Sequence, residues 1–332
     1  MEREQHELRF LGFFGIIKES SKIIFTWRKI FSQITLALTF PLSLIFLAHV
    51  QISQLLFFRI FRHELTLDDT SVGTPSYHRL SRALSSEWAL FWLFNASYFT
   101  FLLILSLLST AAVVYTIACM YTAKPVTFRK VMSVVPRVWK RLMVTFLWSF
   151  GLVLAYNVVS AGVLVLWGVS LGNEGVIGIV VLVLLLILYL VGFMSITIIW
   201  HLASVVSVLE ETYGIKAMIK SKNLIKGKVG VSVTIFVSLG LCLLAIQFMY
   251  QSLVVLGLPE IDLGIRIGIG ILCFLLLFQV ILYGFVLQTV LYFVCKSYHH
   301  QNIDKSLLAD HLDNYLGDYV RLSSGAVQME QV

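Results

Sequence analysis

Long apolar runs alternate with short polar intervals along the chain. Six runs, at about residues 30–50, 88–121, 142–170, 176–208, 229–258 and 263–295, approach or exceed the length that a bilayer crossing requires. A helix crosses the hydrocarbon with about 20 mostly apolar residues. The turn at residues 171–175 is short, so the runs on either side of it are expected to be antiparallel neighbours. The pattern predicts an all-α, polytopic membrane protein with six transmembrane helices.

The longest polar interval between the runs covers residues 51–87. It carries four arginines and four acidic residues and contains the turn formers Gly73 and Pro75, so we predict a non-cytosolic loop here. The following run, residues 88–121, exceeds the length that the hydrocarbon layer of about 30 Å requires. It is therefore expected to tilt, kink or protrude.

Three other polar intervals are basic and compatible with helices, and each leads directly into an apolar run. In residues 8–29 the apolar and cationic positions have a near-helical spacing, which is typical of a helix lying among lipid headgroups. We predict three hairpins, each preceded by a basic amphipathic interfacial helix. The cations expected to contact lipid headgroups are Lys18, Arg28, Lys29, Lys130, Lys140, Arg141, Lys216, Lys220 and Lys226.

The distribution of cations predicts which side of the membrane each interval faces. Residues 1–29, 122–141, 209–228 and the tail 296–332 together hold 20 of the 25 lysines and arginines. The positive-inside rule therefore places both termini in the cytosol, in agreement with an even number of spans. The predicted organisation is a cytosolic amphipathic segment (1–29), a six-span domain (30–295) and a cytosolic acidic tail (296–332).

The tail has a pattern of its own. Apolar residues recur at helical spacing over residues 307–320, with Asp310, Asp313 and Asp318 among them. Because anionic lipid repels an acidic helix face, we expect the tail to dock on the basic intervals of the same chain or on a protein partner.

Composition supports the membrane assignment. The chain is 58% hydrophobic and 13% charged, with a mean hydropathy of +0.89, whereas soluble domains are typically about 45–50% apolar. The net charge of +7 lies beside the apolar runs, which favours anionic lipid rather than nucleic acid as the neighbour. No removable signal peptide is recognisable, so the first span is expected to target the protein to the endoplasmic reticulum or a downstream endomembrane or plasma membrane.

Polar residues inside the runs are the candidates for transport chemistry. Gln247 and Gln251 lie four residues apart on one face of the fifth span, from which they could meet Gln279 or Asn157. Such a cluster is explained either by interhelical hydrogen bonds, each contributing about 0.6 kcal/mol, or by a solute pathway. His201, in the fourth span, is expected to be a hydrogen-bonded packing residue.

The four cysteines lie in or beside apolar runs, so a structural disulfide is not expected. Cys119 and Cys295 stand at the predicted cytosolic ends of their spans, where either packing or palmitoylation would explain them. The sequence contains no recognisable zinc, nucleotide-binding or nucleophile motif. We therefore expect neither a cofactor nor an enzyme.

Two segments carry a resemblance to known families. The residues Glu211, Gly214, Ala217, Ser221, Leu224, Lys226 and Gly227 resemble a signature of six-span membrane modules, including the module of some bacterial glycerophosphodiester phosphodiesterases. Residues 295–301 and 315–319 resemble a plant family of uncharacterised six-span transmembrane proteins, and this resemblance covers the whole chain. The catalytic barrel of the bacterial enzymes has no counterpart in this sequence, so the resemblance implies a six-span fold and no catalytic residue.

The signature also has a physical interpretation. Gly214 permits a turn into a helix, the small residues Ala217 and Ser221 permit close helix packing, and Gly227 ends the helix. The segment is then either a packed elbow or a conformational hinge, and the first explanation is favoured.

The sequence favours a non-enzymatic membrane organiser, trafficking factor or scaffold that contacts anionic lipid on the cytosolic leaflet. The alternative is a transporter or channel for a small neutral or weakly polar solute, and an enzyme acting on lipid comes third. The pattern indicates no particular oligomeric state.

Overall fold

The computed structural model describes residues 10–68, 74–122, 126–171, 175–257 and 262–299, and these ranges contain helices but no β-strand. We number the α-helices in chain order as α1 (Phe13–Thr26), α2 (Arg28–Ile34), α3 (Phe40–Asp68), α4 (Pro75–Tyr121), α5 (Phe128–Leu171), α6 (Val176–Leu209), α7 (Ile215–Ile225), α8 (Val229–Tyr250) and α9 (Leu263–Tyr298). Two π-helical turns occur, at Thr35–Thr39 and Gln251–Val255.

Six helical segments are long and apolar enough to span a membrane. They are Arg28–Leu67, Pro75–Tyr121, Phe128–Ser170, Val176–Leu209, Val229–Val255 and Leu263–Tyr298. Large apolar side chains are exposed along these segments, as expected of helices whose surroundings are lipid rather than water. By length and composition the chain is an integral membrane protein, which confirms the prediction of six spans in an all-helical chain.

The interval 51–87, predicted as a loop, is instead helical over residues 51–68 and 75–87, because α3 and α4 extend into it. Its polar side chains bond between the two helices, as in the 2.8 Å contact of His63 Nδ1 with Glu87 Oε2. At 47 residues α4 is roughly 70 Å long, so its polar first part can lie outside a hydrocarbon layer of about 30 Å.

The second basic interval, residues 122–141, does not form a helix separate from the span that follows it. Its residues from Phe128 to Arg141 form the first turns of α5, which continues through Pro136. Val131, Val134 and Val138 are buried at helical spacing on both sides of the proline. Packing of this apolar face keeps the helix continuous although the proline cannot donate a backbone hydrogen bond.

The third basic interval contains a helix of its own, α7. It starts after Gly214 (φ 65°) and is followed by Gly227 (φ 93°), the two positions at which the sequence predicts turns. α1 is also a helix of its own, because it ends at Thr26 and Trp27 lies between it and α2. The acidic tail lies almost entirely beyond residue 299, so its predicted docking falls outside the described residues.

Pro41 is accommodated at the second position of α3, directly after the π-helical turn Thr35–Thr39. Because the segment Arg28–Leu67 is helical without a break, Pro41 lies inside a helix and leaves one carbonyl of the preceding turn without its usual N–H donor. A spanning helix tolerates this when neighbouring groups satisfy the carbonyl. The apolar run therefore continues through the proline, as predicted for a spanning segment.

The chain divides into two compact units. Unit 1 comprises Met1–Ile30, Thr110–Thr234 and Val286–Val332, and unit 2 comprises Phe31–Ser109 and Ile235–Phe285. In unit 1, α5 and α6 run antiparallel, because Thr145 bonds to Ser207 near one end and Trp167 bonds to Gly178 near the other. Its largest fully buried side chains are Tyr292, Phe293, Ile16, Ile117, Leu142, Leu202 and Leu291.

Unit 2 has its own apolar core. Leu47 from α3, Ile246 and Tyr250 from α8, and Cys273 and Leu277 from α9 pack together there. The ring of Phe40 meets that of Phe274 edge-on, with centroids 4.9 Å apart.

Candidate functional site

The short helix α7 is held tightly against α5 and α6 by small and polar residues. Ala217 and Ser221 are fully buried, and the Ser221 hydroxyl donates to the Ile199 carbonyl of α6 at 2.8 Å. At the start of α7, the Gly214 N–H donates to Thr145 Oγ1 of α5 at 2.8 Å. These contacts match the packed elbow predicted from the spacing of small residues.

The exposed side of α7 borders a cavity of about 570 Å³. This volume lies within the range of about 300–1,000 Å³ that is usual for small-molecule sites. The cavity is lined by Lys216, Ile219, Lys220, Asn223, Leu224, Lys226 and His299. Three lysines that are separated in sequence thus share one concave surface.

Behind this cavity, Glu210 connects three helices of unit 1. It follows the last residue of α6, and its Oε2 lies 2.5 Å from Lys220 Nζ of α7. Its Oε1 accepts hydrogen bonds from Tyr292 Oη at 2.7 Å and from Lys296 Nζ at 3.1 Å, both on α9. The carboxylate side chain is 11% exposed. We call Glu210, Lys220, Tyr292 and Lys296 the Glu210 network.

The Glu210 network keeps its carboxylate ionised. Burial by itself would raise the pKa of Glu210, but hydrogen bonds from Lys220 and Tyr292 and the positive charges of Lys296 and Lys220 outweigh burial, so the pKa lies below the usual glutamate value. One of the three lysine charges at the cavity is consequently balanced by a fixed negative charge.

His299, which directly follows α9, forms one wall of the cavity. The ring Nε2 of His299 donates to the Leu224 carbonyl at 3.0 Å, and this bond fixes the ring beside the last turn of α7. The preceding residue, Tyr298, packs against Gly227, where a Cβ atom would collide with the ring. Lys228 Nζ lies 5.4 Å from the Tyr298 ring centroid, a cation–π contact.

All nine cations predicted at lipid headgroups belong to unit 1. Of these, the structure places Lys216, Lys220 and Lys226 at the cavity. The other six lie on α2, on the first turns of α5 and on α1. The exposed members of the whole set are Lys18, Arg28, Lys29, Lys130, Lys140, Lys216 and Lys226, whereas Arg141 and Lys220 are half-buried.

The four predicted intramembrane polar residues have different surroundings. In unit 1, Asn157 Oδ1 accepts a hydrogen bond from Tyr189 Oη at 3.0 Å, and Asn157 Nδ2 donates to the Val153 carbonyl at 2.8 Å. These bonds satisfy the amide between α5 and α6. Its predicted association with the glutamines stays a prediction.

In unit 2, Gln251 Nε2 donates to Gln54 Oε1 at 3.3 Å. The buried Oε1 of Gln247 has no hydrogen-bond partner among the described residues. Gln279 is exposed, and no hydrogen bond joins it to either glutamine within the described part of the unit. Nearby in sequence to Gln54, His49 Nε2 contacts Asn95 Oδ1 at 2.9 Å and Ser53 Oγ at 3.2 Å.

The remaining candidates are packing residues. His201 Nδ1 bonds to Gln288 Oε1 at 3.0 Å, which agrees with the hydrogen-bonded role predicted for this histidine. Cys119 and Cys295 are buried, with 3% and 0% exposure, which favours packing over palmitoylation. The described residues contain no group of three or more histidines, cysteines or acidic residues able to hold a metal ion.

Sequence reasoning missed the Glu210 network and the contribution of His299. Glu210 falls within a basic interval, and an acid beside five lysines in residues 209–228 is a signal for an internal ion pair. Tyr292 and Lys296 lie four residues apart, a spacing that places them on one helix face. Gln54 escaped notice because the composition of the interval 51–87 predicts a loop.

Comparison with known proteins yields one family. A family model described as a domain of unknown function (DUF8558) matches residues 1–332. No curated protein and no solved structure matches the chain.

Proposed function

The chain belongs to the DUF8558 family, and we propose that it is a non-enzymatic, multi-pass membrane organiser, trafficking factor or scaffold that contacts anionic lipid on the cytosolic leaflet. The observation that carries this proposal is that the nine predicted headgroup cations all fall in unit 1, seven of them exposed. A cation close to an anionic membrane surface contributes about 1 kcal/mol to binding. Several such cations together retain a shell of anionic lipid.

The α5–α6 pair supports a common side for two of the basic intervals. Thr145, just after the cations of α5, bonds to both Ser207 at the end of α6 and Gly214 at the start of α7. The cations of α5 and α7 therefore flank the same end of an antiparallel helix pair. In the proposed topology this end is cytosolic, each hairpin is entered through a basic helical segment, and both termini are cytosolic.

The chemistry around the cavity supports a binding role rather than catalysis. Glu210, the acid paired with the cavity residue Lys220, is held by two lysines and Tyr292, so it is not placed to act as a general base. We propose no cofactor. For the tail 296–332 we propose two alternatives, docking on the basic intervals of the same chain or binding to a protein partner.

Lipid retention tests the proposal. The full chain is reconstituted with equal amounts of phosphatidylserine and phosphatidylcholine, extracted in mild detergent, and its retained lipids are counted by mass spectrometry. We expect enrichment of phosphatidylserine that falls with salt. A variant with Lys18, Arg28, Lys29, Lys130 and Lys140 changed to glutamine should lose most of it. Equal retention of both lipids by the unaltered protein would contradict the proposal.

A second candidate function, a transporter or channel for a small neutral or weakly polar solute, is favoured by the polar side chains of unit 2. The Gln54–Gln251 bond and the Oε1 of Gln247, which has no hydrogen-bond partner among the residues described, lie on segments long enough to span the membrane. Uptake of small polyols into proteoliposomes, compared between the unaltered chain and Gln251→Leu, tests this function. Uptake that equals that of protein-free vesicles would exclude it for those solutes.

A further inference from the structure

Two lysines of the cavity, Lys216 and Lys226, form no ion pair with the acids that the structure describes. Lys220 is paired with Glu210, but neither Lys216 nor Lys226 has a carboxylate within ion-pair distance among the described residues. Both side chains are exposed and both line the cavity. Within the described part of the chain, this surface therefore offers two positive charges without an ion-pair partner, and both border one concave space.

The cavity also offers hydrogen-bond donors besides the ammonium groups of Lys216 and Lys226. The Asn223 amide lies on its wall. The Nε2–H of His299 donates to the Leu224 carbonyl, so a neutral His299 ring shapes the cavity wall but has no second N–H to give a ligand. Lys220 uses part of its ammonium group on Glu210 and retains further N–H donors. A ligand with several acceptor oxygens on one atom could accept hydrogen bonds from several of these donors at once.

A phosphomonoester has the required charge and shape. Near neutral pH it carries about −1.5 to −2 charges and three strong acceptor oxygens. A phosphodiester carries one charge and fewer free oxygens, so it would leave one of the two cations unbalanced. Lysine binds phosphate as a point charge, which suits ammonium groups that approach from different sides of a cavity.

We propose that the cavity formed by α7, Lys226 and His299 is a discrete binding site for one phosphomonoester group, supplied by a membrane lipid headgroup or by a soluble phosphate ester. This inference rests on the proposed contact with anionic lipid and adds a stoichiometric, chemically selective site to it. Glu210 acts as a positioning residue, because it holds Lys220 at the cavity wall.

Ligand selectivity tests the site directly. Full-length protein in neutral detergent with phosphatidylcholine is titrated by calorimetry with short-chain phosphatidic acid, phosphatidylglycerol, cardiolipin and glycerol 3-phosphate. Cardiolipin controls for charge, because it is a dianion built from two phosphodiesters. We expect saturable binding of one phosphatidic acid per chain, about tenfold tighter than that of either diester.

Variants locate the site. Lys216→Gln and Lys226→Gln should each weaken phosphatidic acid binding about tenfold, since each removes one charge-assisted contact. Lys222→Gln is the matched control, because Lys222 is an exposed lysine of the same helix that does not line the cavity. It should bind phosphatidic acid as the unaltered chain does.

The outcomes separate the possibilities. Equal affinity for phosphatidic acid and the two diesters, or equal loss in all three lysine variants, would overturn the discrete site while leaving the salt-dependent retention of phosphatidylserine intact. Glycerol 3-phosphate binding as tightly as phosphatidic acid would support the site and identify a soluble ester as its ligand. Binding of phosphatidic acid alone would identify a lipid.

Discussion

Glu210 and Lys220 form an ion pair, with 2.5 Å between Oε2 and Nζ, that joins the end of α6 to α7. The carboxylate is 11% exposed and the lysine 38% exposed, so the pair lies at the edge of the protein interior. Lys296 and Tyr292 bind the other carboxylate oxygen from α9. A single acid therefore connects three helices around the cavity.

Removing the charge of Glu210 should loosen this connection. We expect Glu210→Gln to destabilise the protein by about 1–2 kcal/mol at neutral pH, because two lysines lose their carboxylate and the partial exposure of Lys220 limits the effect. The measurement is Tm from tryptophan fluorescence in detergent. Glu211→Gln, which changes the adjacent exposed glutamate, is the matched control and should leave Tm unchanged. An equal Tm for both variants would contradict a structural role for the network.

The same pair predicts a pH dependence. The pKa of Glu210 is lower in the folded protein than its usual value. Its contribution to stability is therefore complete above the usual value and is lost as the pH falls through the lower, folded-state value. The Tm difference between the unaltered chain and Glu210→Gln should shrink in that acidic range. A Tm difference that stays constant from neutral to acidic pH would show that its partners do not lower the pKa of Glu210.

Two glycines that follow α7 in the sequence, Gly227 and Gly230, should respond differently to replacement by alanine. Gly227 has a φ of 93°, and a Cβ atom there would collide with the Tyr298 ring. We expect Gly227→Ala to cost about 1–3 kcal/mol and to speed trypsin cleavage after Lys226 and Lys228. Gly230 lies in helix α8, where a Cβ atom would meet no other atom within 4 Å. Gly230→Ala should be neutral or stabilise the protein by up to about 1 kcal/mol, and a Tm loss equal to that of Gly227→Ala would refute the argument.

The apolar runs predict the spans well because burial in lipid leaves a long, uninterrupted compositional signal. The run at residues 176–208 corresponds to the helix Val176–Leu209. The polar ends of helices are less predictable, since residues such as His63 and Glu87 satisfy each other across α3 and α4. Composition alone therefore does not distinguish a polar helix end that extends beyond the hydrocarbon from a loop.

The candidate site is predictable only in part. The lysines of α7 stand out because they interrupt two apolar runs, and Gly214 and Gly227 mark the limits of the helix. The contribution of His299 depends on α9 ending beside Leu224, a contact between residues 75 positions apart. Such long-range contacts arise from tertiary packing and leave no local pattern in a single sequence.

Burial of Cys119 and Cys295 predicts that neither thiol is palmitoylated. Cys295 is fully buried and Cys119 is 3% exposed, so neither sulfur is accessible to an acyltransferase while the helices are folded. We expect acyl exchange followed by mass spectrometry of the full chain to detect no fatty acid at either position. An acyl signal that disappears in Cys295→Ser would show that the end of α9 opens in the membrane.

The proposed sidedness is the prediction on which the lipid contact depends. In a background with the exposed Cys242 changed to serine, single cysteines are introduced at Lys130, Lys222 and Ser85, all of which are exposed positions. An impermeant maleimide added to the cytosolic face of sealed microsomes should label Lys130→Cys and Lys222→Cys, because α5 and α6 cross the membrane twice between them. Ser85→Cys, in the polar part of α4, should react only after the membrane is permeabilised. Labelling of the positions at 130 and 222 from opposite faces would contradict both the topology and the shared contact of their helices with one leaflet.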